Sequence, residues 1–259
     1  MRTIKLTLAY DGTAFAGWQS QSDRRTLQET LEETLRQIIG ERLRVAASGR
    51  TDAGVHALGQ VVSFDTESAL SADVLQRALN AELPRDMAVV EVVDAPPGFH
   101  ARRDARSKRY RYVIRDGRRP NVFERNYAWH VPQRLDERRL AQAACAMTGT
   151  HDFSSFETQG SPRASSVRTV HALEVIRDGV DPDRLLIEIE ANGFLYNMVR
   201  SIVGTLVEVG RGVRDENWPG EVLAAADRRA AGRTAPPQGL FLLWVKYDPL
   251  DRAGEQESR

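Results

Sequence analysis

Residues 3–10 read Thr-Ile-Lys-Leu-Thr-Leu-Ala-Tyr, so Ile4, Leu6, Leu8 and Tyr10 alternate with Thr3, Lys5, Thr7 and Ala9. A period of two puts the large apolar side chains on one side of an extended chain, which is the pattern of a strand with one buried face. Such a face needs a covering layer. Asp11-Gly12 breaks the strand, and Leu27, Leu31, Leu35, Ile38 and Ile39 then recur at helical spacing. Thr26 and Glu29 have the spacing of a capping box at the start of that helix, and Gly40 stops it. A short strand over 43–48 leads into a glycine-flanked loop, and Val61, Val62 and Phe64 belong to the next strand. Ser71 suits the cap of a second helix carrying Val74, Leu75, Ala78 and Leu79, and residues 88–94 form a further strand. The order β-α-β-β-α-β thus fills the first hundred residues.

Pro96-Pro97-Gly98 marks a break. Beyond it Tyr110, Tyr112 and Ile114 alternate with Arg109, Arg111, Val113 and Arg115, a strand with one aromatic and one mostly basic face. A helix near 136–148 turns Leu140, Ala143, Ala144 and Met147 inward, and strands follow near 166–178 and 184–191. A helix near 194–209 carries Leu195, Met198, Ile202, Leu206 and Val209, and Pro219 suits the first turn of another. Leu240 to Val245 is continuously apolar, as a buried central strand would be. The expectation is therefore an α+β fold of two related domains, each a mainly antiparallel sheet with helices on one face, with an active-site cleft between them. Residues 1–100 and 101–248 are the expected domains, and 249–259 a polar tail.

No stretch approaches the roughly 18 consecutive apolar residues of a membrane helix. The N-terminus lacks the apolar run of a signal peptide, and the single cysteine, Cys145, has no internal partner. A cytoplasmic protein with no membrane association is expected. The five histidines (His56, His100, His130, His151 and His171) show no close pairing, so no metal is expected. No P-loop or dinucleotide fingerprint occurs either, which favours an activity needing no cofactor.

Formal net charge is zero, which in bulk argues against a polyanionic partner. The distribution argues for one. Between Arg102 and Arg119 stand nine basic residues, opposed only by Asp104 and Asp116. Arg102, Arg106, Lys108, Arg109 and Arg111 are the candidate RNA-binding residues of this run, with Tyr110 and Tyr112 interleaved so that a ring can stack a base while charges hold the backbone. A solvated basic face and core-facing tyrosines would give the same pattern.

Asp52 lies in Gly49-Arg50-Thr51-Asp52-Ala53-Gly54. Read alone, the loop is first a turn in which Asp52 bonds nearby backbone. It also presents a carboxylate able to attack an electrophile or take a proton, where glycines let a large ligand approach. Arg50 beside it suits a phosphate or a displaced base. Arg200 stands among Phe194, Met198, Val199, Ile202 and Val203. There it is either a buried cation needing a carboxylate or a snorkelling side chain.

These residues fall within motifs that resemble the TruA family of tRNA pseudouridine synthases over nearly the whole chain. The motifs are Tyr10 to Gln19, Gly49 to Ala57 continuing through Gly59-Gln60-Val61 to Phe64, Phe99 to Arg102, and Lys108 to Tyr112. The C-terminal half adds His151 to Phe156, Met198 to Gly204, and Ala235 to Leu240. The resemblance implies Asp52 as the catalytic aspartate, Tyr110 stacking on the target base, Arg200 pairing with the aspartate, and Arg50 holding or displacing the nucleotide. It further implies a homodimer that binds tRNA across both subunits and isomerises uridines at anticodon-stem positions 38 to 40 without cofactor or metal. Gln238 departs from the acidic residue the family often has there. Two other classes compete with this reading. A non-catalytic RNA-binding protein explains the basic strand but not the Asp52 loop. A nuclease or glycosidase would need a metal cluster or a second carboxylate.

Overall fold

A computed structural model describes residues 1–158 and 165–249. In chain order the first elements are β1 (Arg2–Tyr10), α1 (Leu27–Ile39), β2 (Ala46–Ala47), β3 (His56–Thr66), α2 (Ala72–Glu82) and β4 (Met87–Ala95). They are followed by β5 (Ala105–Asp116), β6 (Trp129–Val131), α3 (Glu137–Cys145), β7 (Gly149–Asp152), β8 (Val167–Arg177) and β9 (Arg184–Ala191). Then come α4 (Met198–Gly210), α5 (Trp218–Ala225) and β10 (Leu240–Tyr247). The chain divides into two compact units, one of residues 1–106 with those from Leu242 onward, the other of Ser107–Phe241. Both are α+β with mainly antiparallel strands. The first unit is thus not contiguous in sequence, because most of the last strand returns to it. The expected tail lies, from residue 250, outside the described residues.

In the first unit the strands run β4-β1-β3-β10, with β2 on β3. β1 is antiparallel to both neighbours, pairing Ile4 with Phe64 of β3 and with Asp94 of β4. Its alternation is realised: Ile4, Leu6 and Leu8 are fully buried and Tyr10 nearly so. Burying each such aliphatic side chain contributes about 1.5–3 kcal/mol. Leu27, Leu31 and Leu35 of α1 and Leu75 and Leu79 of α2 are buried as expected, whereas Val74 is exposed.

The capping box does not form. Thr26 occupies the N-cap, but its hydroxyl is buried without a hydrogen-bond partner among the described residues, and Glu29 is exposed. The backbone of the preceding segment does the capping instead. Leu27 N donates to Gly17 O at 3.2 Å and Gln28 N to Trp18 O at 2.9 Å, so two amides that open the helix are satisfied from outside it. Gly40 closes the helix in the left-handed conformation, as its position predicts. The strand expected over 43–48 shrinks to the two residues of β2.

In the second unit the strands run β5-β9-β8-β7, with β6 parallel to β5. Tyr110 pairs with Ile189 and Tyr112 with Ile187 across the antiparallel β5–β9 ladder. α4 is buried almost all round, from Met198 to Gly210. Asp116, whose side chain is fully buried, joins three elements here. It accepts from Leu135 N at 2.8 Å and from both terminal nitrogens of Arg177 at 2.6 and 2.9 Å. Removing one partner of such a buried pair costs about 3–5 kcal/mol. Leu240 to Val245 forms β10, but only Leu240 and Leu242 are buried and the intervening residues are half-exposed.

Candidate active site

Asp52 is half-buried on a loop that two flanking segments hold. Before it, Ser48 N donates to Val61 O at 2.8 Å, continuing the edge of β2 against β3. Gln60, fully buried in β3, accepts from Ser48 Oγ at 2.7 Å and donates through Nε2 to Gly49 O at 2.8 Å. Thr51 is held twice. Its hydroxyl meets Tyr10 OH at 2.8 Å and its carbonyl accepts from Trp18 N at 2.9 Å. After Asp52, Val55 N closes a turn onto Asp52 O at 3.2 Å, with Gly54 at φ +76°.

The segment following β1 can lie this close only because it lacks side chains at two points. A Cβ on Gly12 would stand 2.0 Å from Val55 O, and one on Gly17, already at φ +98°, would stand 2.9 Å from Thr51 O. Both neighbours are backbone and cannot swing aside. Beneath them His56, almost fully buried, turns Nδ1 to Gly12 N–H at 3.1 Å and to Asp11 Oδ1 at 3.1 Å. Burial pushes the Tyr10 phenol up to about 12, against the opposing effect of its hydrogen bonds with Thr51 and Gln60. Tyr10 is therefore a neutral, fixed post at ordinary pH. Arg50, on the same loop, is exposed.

In the second unit Tyr110 is 7% exposed and meets Phe194 edge-on, with ring centroids 5.0 Å apart and planes at 85°. Tyr112, two residues along the same face of β5, is fully buried and donates to Pro236 O at 2.7 Å. Both tyrosines therefore lie largely in the core.

Arg200 projects from the first turn of α4 and is half-buried. Its Nε donates to Ala235 O at 2.8 Å and one terminal nitrogen to Asn197 Oδ1 at 2.8 Å, while Arg200 O accepts from Ala235 N at 3.0 Å. Asn197 takes the left-handed conformation, φ 61°, and its amide donates to Thr158 Oγ1 at 3.0 Å. The segment ending in Ala235-Pro236 lies directly on α4, where a Cβ on Gly204 would stand 1.7 Å from Arg233 O. Thus the motif around Arg200, the Ala235-Pro236 segment and the tyrosine strand meet in one region of the second unit.

The arginines of the basic strand have carboxylate partners on other strands. Arg109 donates to Glu188 at 2.7 Å and to Glu174 at 2.5 Å, and Arg111 donates to the other oxygen of Glu188 at 2.7 Å. These carboxylates come from β9, which pairs with β5, and from β8 beyond it, 79 and 65 residues away in sequence. Burial works to raise the Glu188 pKa, but the hydrogen bonds from Arg111 and Arg109 outweigh it and hold the carboxyl below the ordinary range. Arg106 is exposed and pairs with Asp248. Lys108 is half-buried and Arg102 exposed. Nothing in the sequence pattern marks Gln60, Asn197 or Glu188 as supports of the candidate site, or Tyr10 as more than a core residue of the first strand.

A family model described as tRNA pseudouridine synthase matches residues 7–104 and 143–248. The tRNA pseudouridine synthase A of Geobacillus sp. (strain WCH70) is 48% identical over 248 residues, covering 95% of this chain and 99% of that one. The protein of the same description from Thermoanaerobacter sp. (strain X514) is 44% identical over 247 residues, covering 95% and 100%. That of Halalkalibacterium halodurans is 48% identical over 242 residues, covering 93% and 91%. The matched residues span both units, and the chain belongs to the tRNA pseudouridine synthase family.

Proposed function

We propose that this chain isomerises uridine to pseudouridine in the anticodon stem-loop of tRNA, at positions 38, 39 and/or 40, with Asp52 as the catalytic carboxylate. In that reaction the bond from uracil N1 to ribose C1′ breaks, the base turns, and a bond forms from C5 to C1′ while the C5 proton is lost and N1 gains one. No atom is gained or lost overall, and no cofactor or metal enters the balance. The reading is supported most by the double anchoring of Thr51 next to Asp52, by Tyr10 on one side and Trp18 N on the other. A carboxylate on so restrained a loop is fixed before substrate arrives, which is what positioned covalent or proton-transfer chemistry requires.

Extruding the base from its stem costs a few kcal/mol. In this reading the Tyr110 ring stacks on the extruded base, Arg50 holds the displaced nucleotide, and Arg200 pairs with the Asp52 carboxylate. Arg102 and Lys108 contact the RNA backbone, whereas Arg109 and Arg111 contribute less because Glu188 already occupies them. The protein acts as a homodimer in the cytoplasm, and sedimentation with and without tRNA checks the stoichiometry. The decisive experiment follows release of the C5 hydrogen isotope from labelled tRNA and maps pseudouridine by position. Wild type should place it at 38–40, and Asp52→Asn should bind tRNA without turnover. Appreciable turnover by Asp52→Asn removes the catalytic assignment.

A further inference from the structure

Residues 117–127, Gly-Arg-Arg-Pro-Asn-Val-Phe-Glu-Arg-Asn-Tyr, join β5 to β6. Phe123 is 87% exposed and Val122 60%. Arg118, Arg119 and Arg125 of the same loop are also exposed. Arg118 and Arg119 have no carboxylate partner among the described residues, and Arg125 donates to a carbonyl, Val122 O, at 2.8 Å.

The one acid of the loop is turned away from this surface. Glu124 receives Arg115 Nε at 3.2 Å and Asn121 Nδ2 at 3.2 Å, so its charge is neutralised at the base of the loop. Asn121 Oδ1 accepts from Phe123 N at 3.0 Å. The loop therefore exposes an aromatic ring and, within the same eleven residues, three guanidinium groups that have no carboxylate partner among the described residues.

We propose that this loop is a second RNA-contact surface, on which Phe123 stacks an unpaired base and Arg118, Arg119 and Arg125 hold the adjoining phosphates. The combination is the one that single-stranded or looped RNA needs: a π-face for the base and cations for the backbone. A second copy of this chain fits less well. A two-fold contact centred on the loop would set each arginine cluster against its own equivalent, with Glu124 already spent on Arg115. A membrane surface would be met by the same cations but would not require an aromatic ring rather than any apolar side chain.

The inference rests on tRNA being the substrate, so wild-type pseudouridine formation on tRNA is measured first in the same assay. If wild type forms none, the reading of function fails. If wild type is active and the loop variants behave like it, only the loop assignment fails. Phe123→Ala should raise KM and Kd for tRNA by about fivefold or more while kcat stays within about twofold. Phe123→Trp should restore binding and Phe123→Leu should not. Replacing Arg118, Arg119 and Arg125 together by Gln should lower the slope of log affinity against log salt by about 2. Wild-type tRNA binding by Phe123→Leu, or a Phe123→Ala variant altered in oligomeric state alone, would overturn the proposal in favour of a protein contact.

Discussion

The Tyr10 hydroxyl lies 2.8 Å from the Thr51 hydroxyl, with both side chains only 5% exposed, and the next residue is Asp52. This contact ties the end of β1 to the loop that carries the candidate catalytic carboxylate. Tyr10→Phe and Thr51→Val each remove one partner and should destabilise the fold by about 1 kcal/mol. The double variant should cost less than the sum, because the two act through one contact. Loosening the loop should also lower kcat about tenfold with tRNA affinity nearly unchanged, since small misplacements of a catalytic group are costly. A Tyr10→Phe enzyme of wild-type kcat but lowered Tm would leave the contact a structural role alone.

Alkaline pH should weaken the fold through its buried tyrosines. Burial raises the phenol of Tyr10 to about 12, and it also raises those of Tyr112 and Tyr247 above the ordinary range. In the unfolded chain these groups ionise near pH 10. The folded state therefore keeps its full advantage below about pH 10 and loses it as pH rises toward the folded values. For Tyr10 alone a shift of this size corresponds to roughly 3 kcal/mol. Denaturant titrations between pH 8 and pH 12 should show a falling midpoint, with a shallower fall in Tyr10→Phe than in wild type.

Glu188 bridges Arg109 and Arg111, and its lowered pKa gives the opposite pH dependence. Its contribution is present above the ordinary carboxylate pKa and lost as pH falls through the lower folded value. Glu188→Gln leaves both arginines short of a charge partner and should cost about 2 kcal/mol at pH 7, discounted for the partial exposure of Arg111. It should also strengthen salt-dependent, sequence-independent RNA binding, because the Arg111 guanidinium is released while Arg109 keeps Glu174. If wild type and Glu188→Gln respond identically between pH 7 and pH 4, the ion pair contributes no pH-dependent stability.

The long periodic elements were legible because their signal is local. The alternation at Ile4 to Tyr10 and the helical spacing of Leu27, Leu31 and Leu35 depend only on near neighbours in sequence, and both are buried as read. The Asp52 loop, Tyr110 and Arg200 were marked by residue type and motif. What fixes them was not legible, since Tyr10 to Thr51 spans 41 positions and Arg109 to Glu188 spans 79. The missing acids made the β5 strand read as basic. The capping box at Thr26 failed for a related reason: carbonyls of Gly17 and Trp18, eight or more residues earlier, reach the helix amides first. The three residues of β6 were too short for any periodicity to register.

Gly204 tests whether the Ala235-Pro236 segment must lie on α4. In Gly204→Ala the new methyl group would stand 1.7 Å from Arg233 O, and a carbonyl held in backbone cannot rotate away. The segment would have to lift, breaking the pair of bonds between Arg200 and Ala235. A loss of about 3 kcal/mol or more is expected from overpacking and the two broken bonds together. An unchanged denaturation midpoint would mean that the segment lifts at no cost.

Tyr110 separates stacking from hydrogen bonding at the proposed base contact. Its ring already packs edge-on against Phe194, so Tyr110→Phe keeps the shape and the aromatic face while removing the hydroxyl. Much of the activity should survive in Phe and little in Ala. Because Tyr110 is nearly buried, Ala also loses core packing, by about 3–5 kcal/mol. Activity must therefore be compared at a temperature where far-UV circular dichroism shows both variants folded. Phe194→Leu supplies the control: it disturbs the edge contact without touching the proposed stacking face, and should lower Tm with kcat reduced far less than in Tyr110→Ala. Equal losses of kcat in Tyr110→Phe and Tyr110→Ala, with both folded, would transfer the role from the ring to the hydroxyl.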